Sequence, residues 1–576
     1  MKISTLGCVA ISAMLALAPS AQAQSTPIVM VDQGAEWTDD NRQAFYTTDQ
    51  GSRIMPLKWM QALKRADGQP FLGDALTRYG YLENPETPGI PVGFTVSAGD
   101  TPSIGMTCAA CHTRQIDVDG TYYRLDGGPG IVDFQTFLAD LDIAVGNVAD
   151  DTAAFDAFAL AVLGSGADDT AKASLKIELD TWYLRYHTLM ERALPEDPWG
   201  PSRLDAVSMI FNRLAGLDIG PAPTYLIPDN IARADAPVRY PFLWNAARQD
   251  KTQWPGFSEN GNSILGLARN LGEVYGVFAE FHPQKKGGFL LSGVDYLADN
   301  SANFDGLKKV EDLIWKIGKP KWPWQLDDAL VAQGKEIFNR GTDDGGCVDC
   351  HGIKTGAFRS FSHRTWATPI QDVDTDAREC AILGRTVETG VLEGERIPFV
   401  GTKLDKEAPA FNLLATAVVN SILQHSIGFF AEAEAEALTE GAEVVLPHEM
   451  QYLEGAFNTV LLEQMQAESA GQESCAYEAR VMEGIWAAAP YLHNGSVRSL
   501  EDLLKPAEER AKSFKIGPAY DLETVGLAEV QTVFDYTLET TGCEDKMSGN
   551  SNCGHEFGTD LPADERRALL EYLKSL

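Results

Sequence analysis

The chain has 576 residues, enough for more than one domain, and its 82 acidic side chains against 47 basic ones give a formal net charge of −35. That charge excludes nucleic acid as a partner, because a phosphate backbone would be repelled rather than neutralised, and it disfavours anionic membrane surfaces. A basic redox partner would be steered by the same field, although an acidic surface is also an ordinary means of staying soluble.

The chain opens with Met1-Lys2-Ile3, an apolar run through Leu17, and Pro19-Ser20-Ala21-Gln22-Ala23-Gln24. A short basic region, an apolar core and an Ala-x-Ala site predict a signal peptide over residues 1–23, removed after Ala23 and taking Cys8 with it. No later run reaches the roughly 18 apolar residues that span a bilayer. The expectation is a soluble protein, periplasmic or secreted, with no membrane span.

Next comes Cys108-Ala109-Ala110-Cys111-His112, and its counterpart Cys347-Val348-Asp349-Cys350-His351 follows in the second half. Cys-x-x-Cys-His is the attachment signal for c-type haem. Two cysteines add to the haem vinyl groups and the adjoining histidine becomes an iron ligand, so all three must reach one macrocycle. A zinc half-site would want a second Cys/His pair nearby, and a redox dithiol would want a βαβ surround; neither pattern is present. The sequence therefore predicts two haem c groups. Cys108, Cys111, Cys347 and Cys350 would attach them, with His112 and His351 on the irons.

Helical patterns at Val132 to Val145 and Leu204 to Leu214 alternate with loops rich in Gly and Pro. Between Cys111 and residue 325 the remaining histidines and candidate methionines are His187, His282, Met190 and Met209, none in a ligand-type segment. An open distal side is expected at the first haem. Tyr240-Pro241-Phe242-Leu243-Trp244 and Trp254-Pro255-Gly256-Phe257 offer aromatic lining for it, with plain core packing as the alternative.

Lys319-Pro320-Lys321-Trp322-Pro323-Trp324 reads as a linker. It divides an N-terminal haem domain, residues 24–325, from a C-terminal one, residues 326–576. A helical pattern from Asp327 to Phe338 leads into the second motif, and Leu561 to Leu573 is an amphipathic helix with Pro562 in its first turn. In small cytochromes c the corresponding two helices pack together, and a ligand segment precedes the last one. Here that segment is Gly554-His555-Glu556-Phe557-Gly558, which makes His555 the candidate sixth ligand of the second iron, with Met547 as its rival. Ala431 to Ala437 is a run of high helix propensity. Cys380, Cys475, Cys543 and Cys553 remain, an even number suited to two disulfides in an oxidising compartment. Cys543–Cys553 is the favoured local pairing, leaving Cys380–Cys475, though spacing alone does not fix the connectivity.

With these stretches the chain resembles the bacterial di-haem cytochrome c peroxidases, and within them the rubber oxygenase branch. The resemblance runs through Tyr123-Arg124-Leu125-Asp126-Gly127-Gly128-Pro129, Leu267-Ala268-Arg269-Asn270 and Ile485-Trp486-Ala487-Ala488-Ala489-Pro490-Tyr491-Leu492-His493-Asn494-Gly495-Ser496, as well as the haem motifs and the segments around Trp244 and His555. It implies a mainly α fold of two cytochrome c-like haem domains with long irregular excursions and little β structure. The place of the peroxidase distal histidine falls at Gly128, and that of the peroxidase methionine ligand at Ala507. Both departures point to the oxygenase branch, with an open first haem and a second haem held by two histidines. The resemblance assigns Trp244 to the neighbourhood of the open haem as a catalytic residue, makes His493 a structural loop residue, and implies a calcium ion between the domains without identifying ligands for it.

The expected function is that of an oxidoreductase activating dioxygen or peroxide at the N-terminal haem. A cytochrome c peroxidase reducing hydrogen peroxide and a non-catalytic electron carrier are the alternatives. Expected partners are a small electron-transfer protein and a small-molecule or polymer substrate.

Overall fold

The computed structural model of the chain describes residues 27–286, 293–360, 363–398, 402–434 and 475–576. The expected signal peptide and the end of the Ala431 to Ala437 run lie outside these residues.

Helix takes up 38% of the structure and strand 17%, an ordinary mixture rather than the expected mainly α fold. The excursions between helices are not free of β structure. Among the described residues they pair into two three-stranded and eight two-stranded sheets. The physical reason is that chain wrapped around large cavities carries buried N–H and C=O groups that must be paired. Short ladders such as Arg203–Leu204 with Val238–Arg239 and Ile370–Gln371 with Tyr477–Glu478 do this without long strands.

Two helices frame the second haem motif as the sequence suggests. Asp327 caps the Asp328–Phe338 helix, accepting from the backbone N–H groups of Ala329 and Leu330. The Ala563–Ser575 helix packs across it. Gly334 makes the crossing close, since a Cβ there would lie 2.0 Å from the Ala568 carbonyl oxygen. Phe338 meets Tyr572 edge-on at 5.4 Å, and Arg340 pairs with Glu565 at 2.7 Å.

The segment read as a linker is pinned along its length. Lys319 pairs with Glu483, and Lys321 pairs with Asp32. Trp322 packs edge-on against both Trp324 and Trp486. Both anticipated disulfides form, Cys380–Cys475 and Cys543–Cys553. Among the described residues no helix is long and apolar enough to cross a membrane.

Candidate functional site

Thr107 caps the single turn Cys108–Cys111, accepting from the Ala109 N–H. Gln50 grips its start, accepting from the Cys108 N–H at 3.0 Å and donating to the Cys108 sulfur at 3.3 Å. His112 follows, and its Nδ1–H donates to the Pro241 carbonyl at 2.9 Å. That bond fixes the tautomer and leaves Nε2 with its lone pair, the form a metal takes. Burial pushes the imidazole pKa down to about 4, which keeps it neutral. Cys108, Cys111 and His112 share a cavity of about 1470 Å³, in which His112 is the one histidine among the lining residues.

The second motif repeats the arrangement in the Val348–His351 turn. Here the His351 Nδ1–H donates to the Arg480 carbonyl at 2.7 Å. Across the cavity stands His555, with ring centroids 6.0 Å apart. Metal–imidazole bonds of about 2 Å on each side, with about 1 Å from nitrogen to ring centre, put two ligand rings about 6 Å apart. The spacing fits one iron between them. This cavity, about 1290 Å³, also takes in Cys347 and Cys350. Met547, the rival ligand, is outside its lining and 38% exposed.

His555 sits at φ +52°, and several contacts hold it there. Its N–H bonds the Val373 carbonyl, and the buried Arg510 donates to the carbonyls of Asn552, Gly554 and His555. The Cys543–Cys553 bridge ties the loop two residues upstream. Burial, then the neighbouring His351 and Arg510, push its pKa down to about 3, again favouring a neutral ligand.

Trp244 is fully buried but lines neither cavity. Its indole N–H donates to the Glu483 carbonyl, and its ring stacks on Phe242 at 4.7 Å. Trp244 thus stands behind Phe242, which faces the first cavity. Phe242 lines both cavities, as do Arg239, Trp254, Glu478 and Arg480. His493 lines the second cavity, stacked on Tyr477 with ring centroids 3.7 Å apart.

Residues 476–515 match the family model for RoxA-like, cytochrome c-like domains. That stretch supplies Glu478 and Arg480 of the shared wall, and Arg510 behind His555. A cytochrome c-like domain implies covalently held haem c and a place among haem-dependent oxidoreductases. It supports a relation to the rubber oxygenase and di-haem cytochromes. The chain is 28% identical to the uncharacterized protein y4iJ of Sinorhizobium fredii, over 94% of this chain and 92% of that protein. It is 32% identical to the uncharacterized protein y4iM of the same organism over 116 residues, 17% of this chain and 27% of that one.

The cytochrome c-like match does not reach Gln253 and Glu273 of the first cavity, which no sequence motif singled out. Gln253, at φ +68°, donates to the Glu273 carboxylate at 2.8 Å. Burial raises the Glu273 pKa above the usual carboxylate range. Arg269 is one helical turn before Glu273, and the spacing of the pair within Ser263–Gly276 was the available signal. Arg269 itself pairs with Glu311. Behind Gln253, Arg269 and Glu273 lies a third cavity of about 870 Å³, walled by Phe257, Phe411, Leu414 and Val418. The calcium ion implied by the resemblance finds no support: among the described residues no group of three or more His, Cys, Asp or Glu is placed to hold a metal ion.

Proposed function

We propose that the chain is an exported di-haem c-type cytochrome oxidoreductase of the rubber oxygenase kind. Dioxygen or peroxide would be activated at the N-terminal haem, residues 24–325, and the C-terminal haem, residues 326–576, would be the electron-transfer centre. The observation that carries this reading is the unequal supply of histidines. His351 has His555 opposite it at ligand spacing, whereas among the described residues His112 is the one histidine lining its cavity. An iron held from one side offers a position to dioxygen or peroxide, and one held by two imidazoles transfers electrons.

The chain's own groups complement that chemistry. Glu273, its pKa raised by burial and its carboxylate bonded by Gln253, is placed to give and take a proton in the first cavity. Phe242 and Arg480 join the two cavities, the guanidinium lying 4.0 Å over the ring. Trp244, stacked behind Phe242, would stiffen that junction and serve electron transfer rather than touch substrate. The apolar third cavity beside Glu273 favours an apolar organic substrate over plain peroxide reduction. Acidic charge favours a basic, small electron-transfer protein as redox partner.

The test is a product assay on polyisoprene under oxygen, run beside peroxide reduction with a small cytochrome donor. Cleavage products without donor oxidation are expected. Donor-dependent peroxide turnover with no organic product would replace this reading with that of a peroxidase.

A further inference from the structure

The wall between the two haem cavities is electrically unbalanced. Arg239 and Arg480 both line both cavities and are 5% and 7% exposed. Among the described residues the carboxylate beside them is Glu478, 3.7 Å from Arg480 and bonded to Gln249. Burial raises the Glu478 pKa as well, so it is a reluctant counter-charge. The other groups facing Arg239 do not help. Arg114 is a further buried cation, Tyr491 is held in its protonated form by burial, and His493 is neutral, its pKa down to about 3. Glu379 also lines the first cavity, but burial and neighbouring carboxylates push its pKa well above the usual range, which disfavours its charged form.

Arg239 is aimed rather than merely buried. Its Nε donates to the Leu492 carbonyl at 2.9 Å, and its guanidinium lies 4.8 Å over the Trp254 ring. Its Nη1 is buried with no hydrogen-bond partner. Arg480 is fixed likewise, donating through Nε and Nη2 to Gln249 Oε1 while resting on Phe242. A desolvated guanidinium without an anion is strongly unfavourable, and a planar fork held on an aromatic ring is shaped to take a carboxylate.

We propose that Arg239 and Arg480 form a shared carboxylate site that holds propionate groups of the haems on either side of this wall. The inference rests on the reading that both cavities hold haem. Its consequence is electrostatic: two cations in one wall act on both irons, so both potentials are set in part from the same place. Removing a cation leaves a propionate negative charge bare, which favours ferric iron and lowers the potential.

The experiment compares wild-type holoprotein with Arg239→Met, Arg239→Lys and Arg480→Met. Haem is counted as the pyridine haemochrome, and both haems are titrated potentiometrically without oxygen. Two haems per chain are expected throughout, with at least one potential lowered in Arg239→Met and in Arg480→Met and held near the wild-type value in Arg239→Lys. Unchanged potentials in Arg239→Met carrying two haems would overturn the proposal, as would Arg239→Lys shifting as far as Arg239→Met. If Arg239→Met does not load haem, the propionate bending band in resonance Raman spectra decides. A band displaced between wild type and Arg239→Lys supports the site, and an identical band overturns it. Fewer than two haems in the wild-type protein would instead overturn the two-haem reading itself.

Discussion

The rings of His351 and His555 face each other with centroids 6.0 Å apart and planes inclined by 49°. The first ring is locked by the Arg480 carbonyl, and the second is carried on a loop clamped by Arg510. With both rings as ligands of the proposed haem, replacing His555 by Ala would leave His351 as its one protein ligand. One low-spin signal in the electron paramagnetic resonance spectrum is expected to give way to a high-spin one. The first haem's signal should stay as it is.

The ligand loop depends on its bridge. Cys543 and Cys553 close a ten-residue separation, and opening such a loop costs about 2.5 kcal/mol on chain-entropy grounds. The Cys543→Ala, Cys553→Ala double variant should lose about that much in urea unfolding. It should also show a mixed-spin second haem, because His555 then samples positions off the iron. Unchanged stability and spin state would contradict the role given to the bridge.

Part of the acid sensitivity should trace to His493. Its pKa falls from the ordinary 6.5 to about 3 because it is buried, with Arg239 adding to the shift. The folded value is depressed, so the unfolded chain binds the proton first as pH drops. Stability is therefore full above about pH 6.5 and declines toward pH 3, by up to about 1.4 kcal/mol per pH unit for this one group. His493→Phe keeps a ring against Tyr477 and removes the titration. Its unfolding free energy should fall less steeply between pH 6 and 4 than that of the wild type, roughly by that slope.

Glu273→Gln keeps the bond from Gln253 but cannot move a proton. Turnover at the first haem should fall by about 10²–10⁴-fold, the usual range for a lost general acid or base. KM should be nearly unchanged, and the limb of the pH profile set by this carboxyl should disappear. An unaltered pH profile would count against a proton-handling role.

The helix crossing at Gly334 should be intolerant of a side chain. A Cβ would meet the Ala568 carbonyl at 2.0 Å and the Tyr572 Cβ at 2.7 Å. Gly334→Ala is expected to cost about 1–3 kcal/mol through forced separation of the helices, readable as a lower thermal midpoint.

What the sequence disclosed follows from distance along the chain. The haem motifs are contiguous, and the placing of His555 opposite His351 was legible because His555 precedes an amphipathic terminal helix at a recognisable offset. Arg239, Phe242, Glu478 and Arg480 meet only in three dimensions, so no local pattern announces the wall they build. In the segment Tyr240 to Trp244, Phe242 lines both cavities and Trp244 stacks on it, a difference that no local pattern shows. The mainly α expectation failed for a related reason. Strands such as Arg203–Leu204 and Ile370–Gln371 are two residues long, too short for alternation to be read, whereas the Asp328–Phe338 and Ala563–Ser575 helices are long enough to show their period.

The central claim is the inequality of the two irons, and carbon monoxide binding to the fully reduced protein tests it most directly. One carbon monoxide per chain is predicted, taken up at the N-terminal haem, with the low-spin spectrum of the C-terminal haem undisturbed. Two six-coordinate haems that bind none would contradict it.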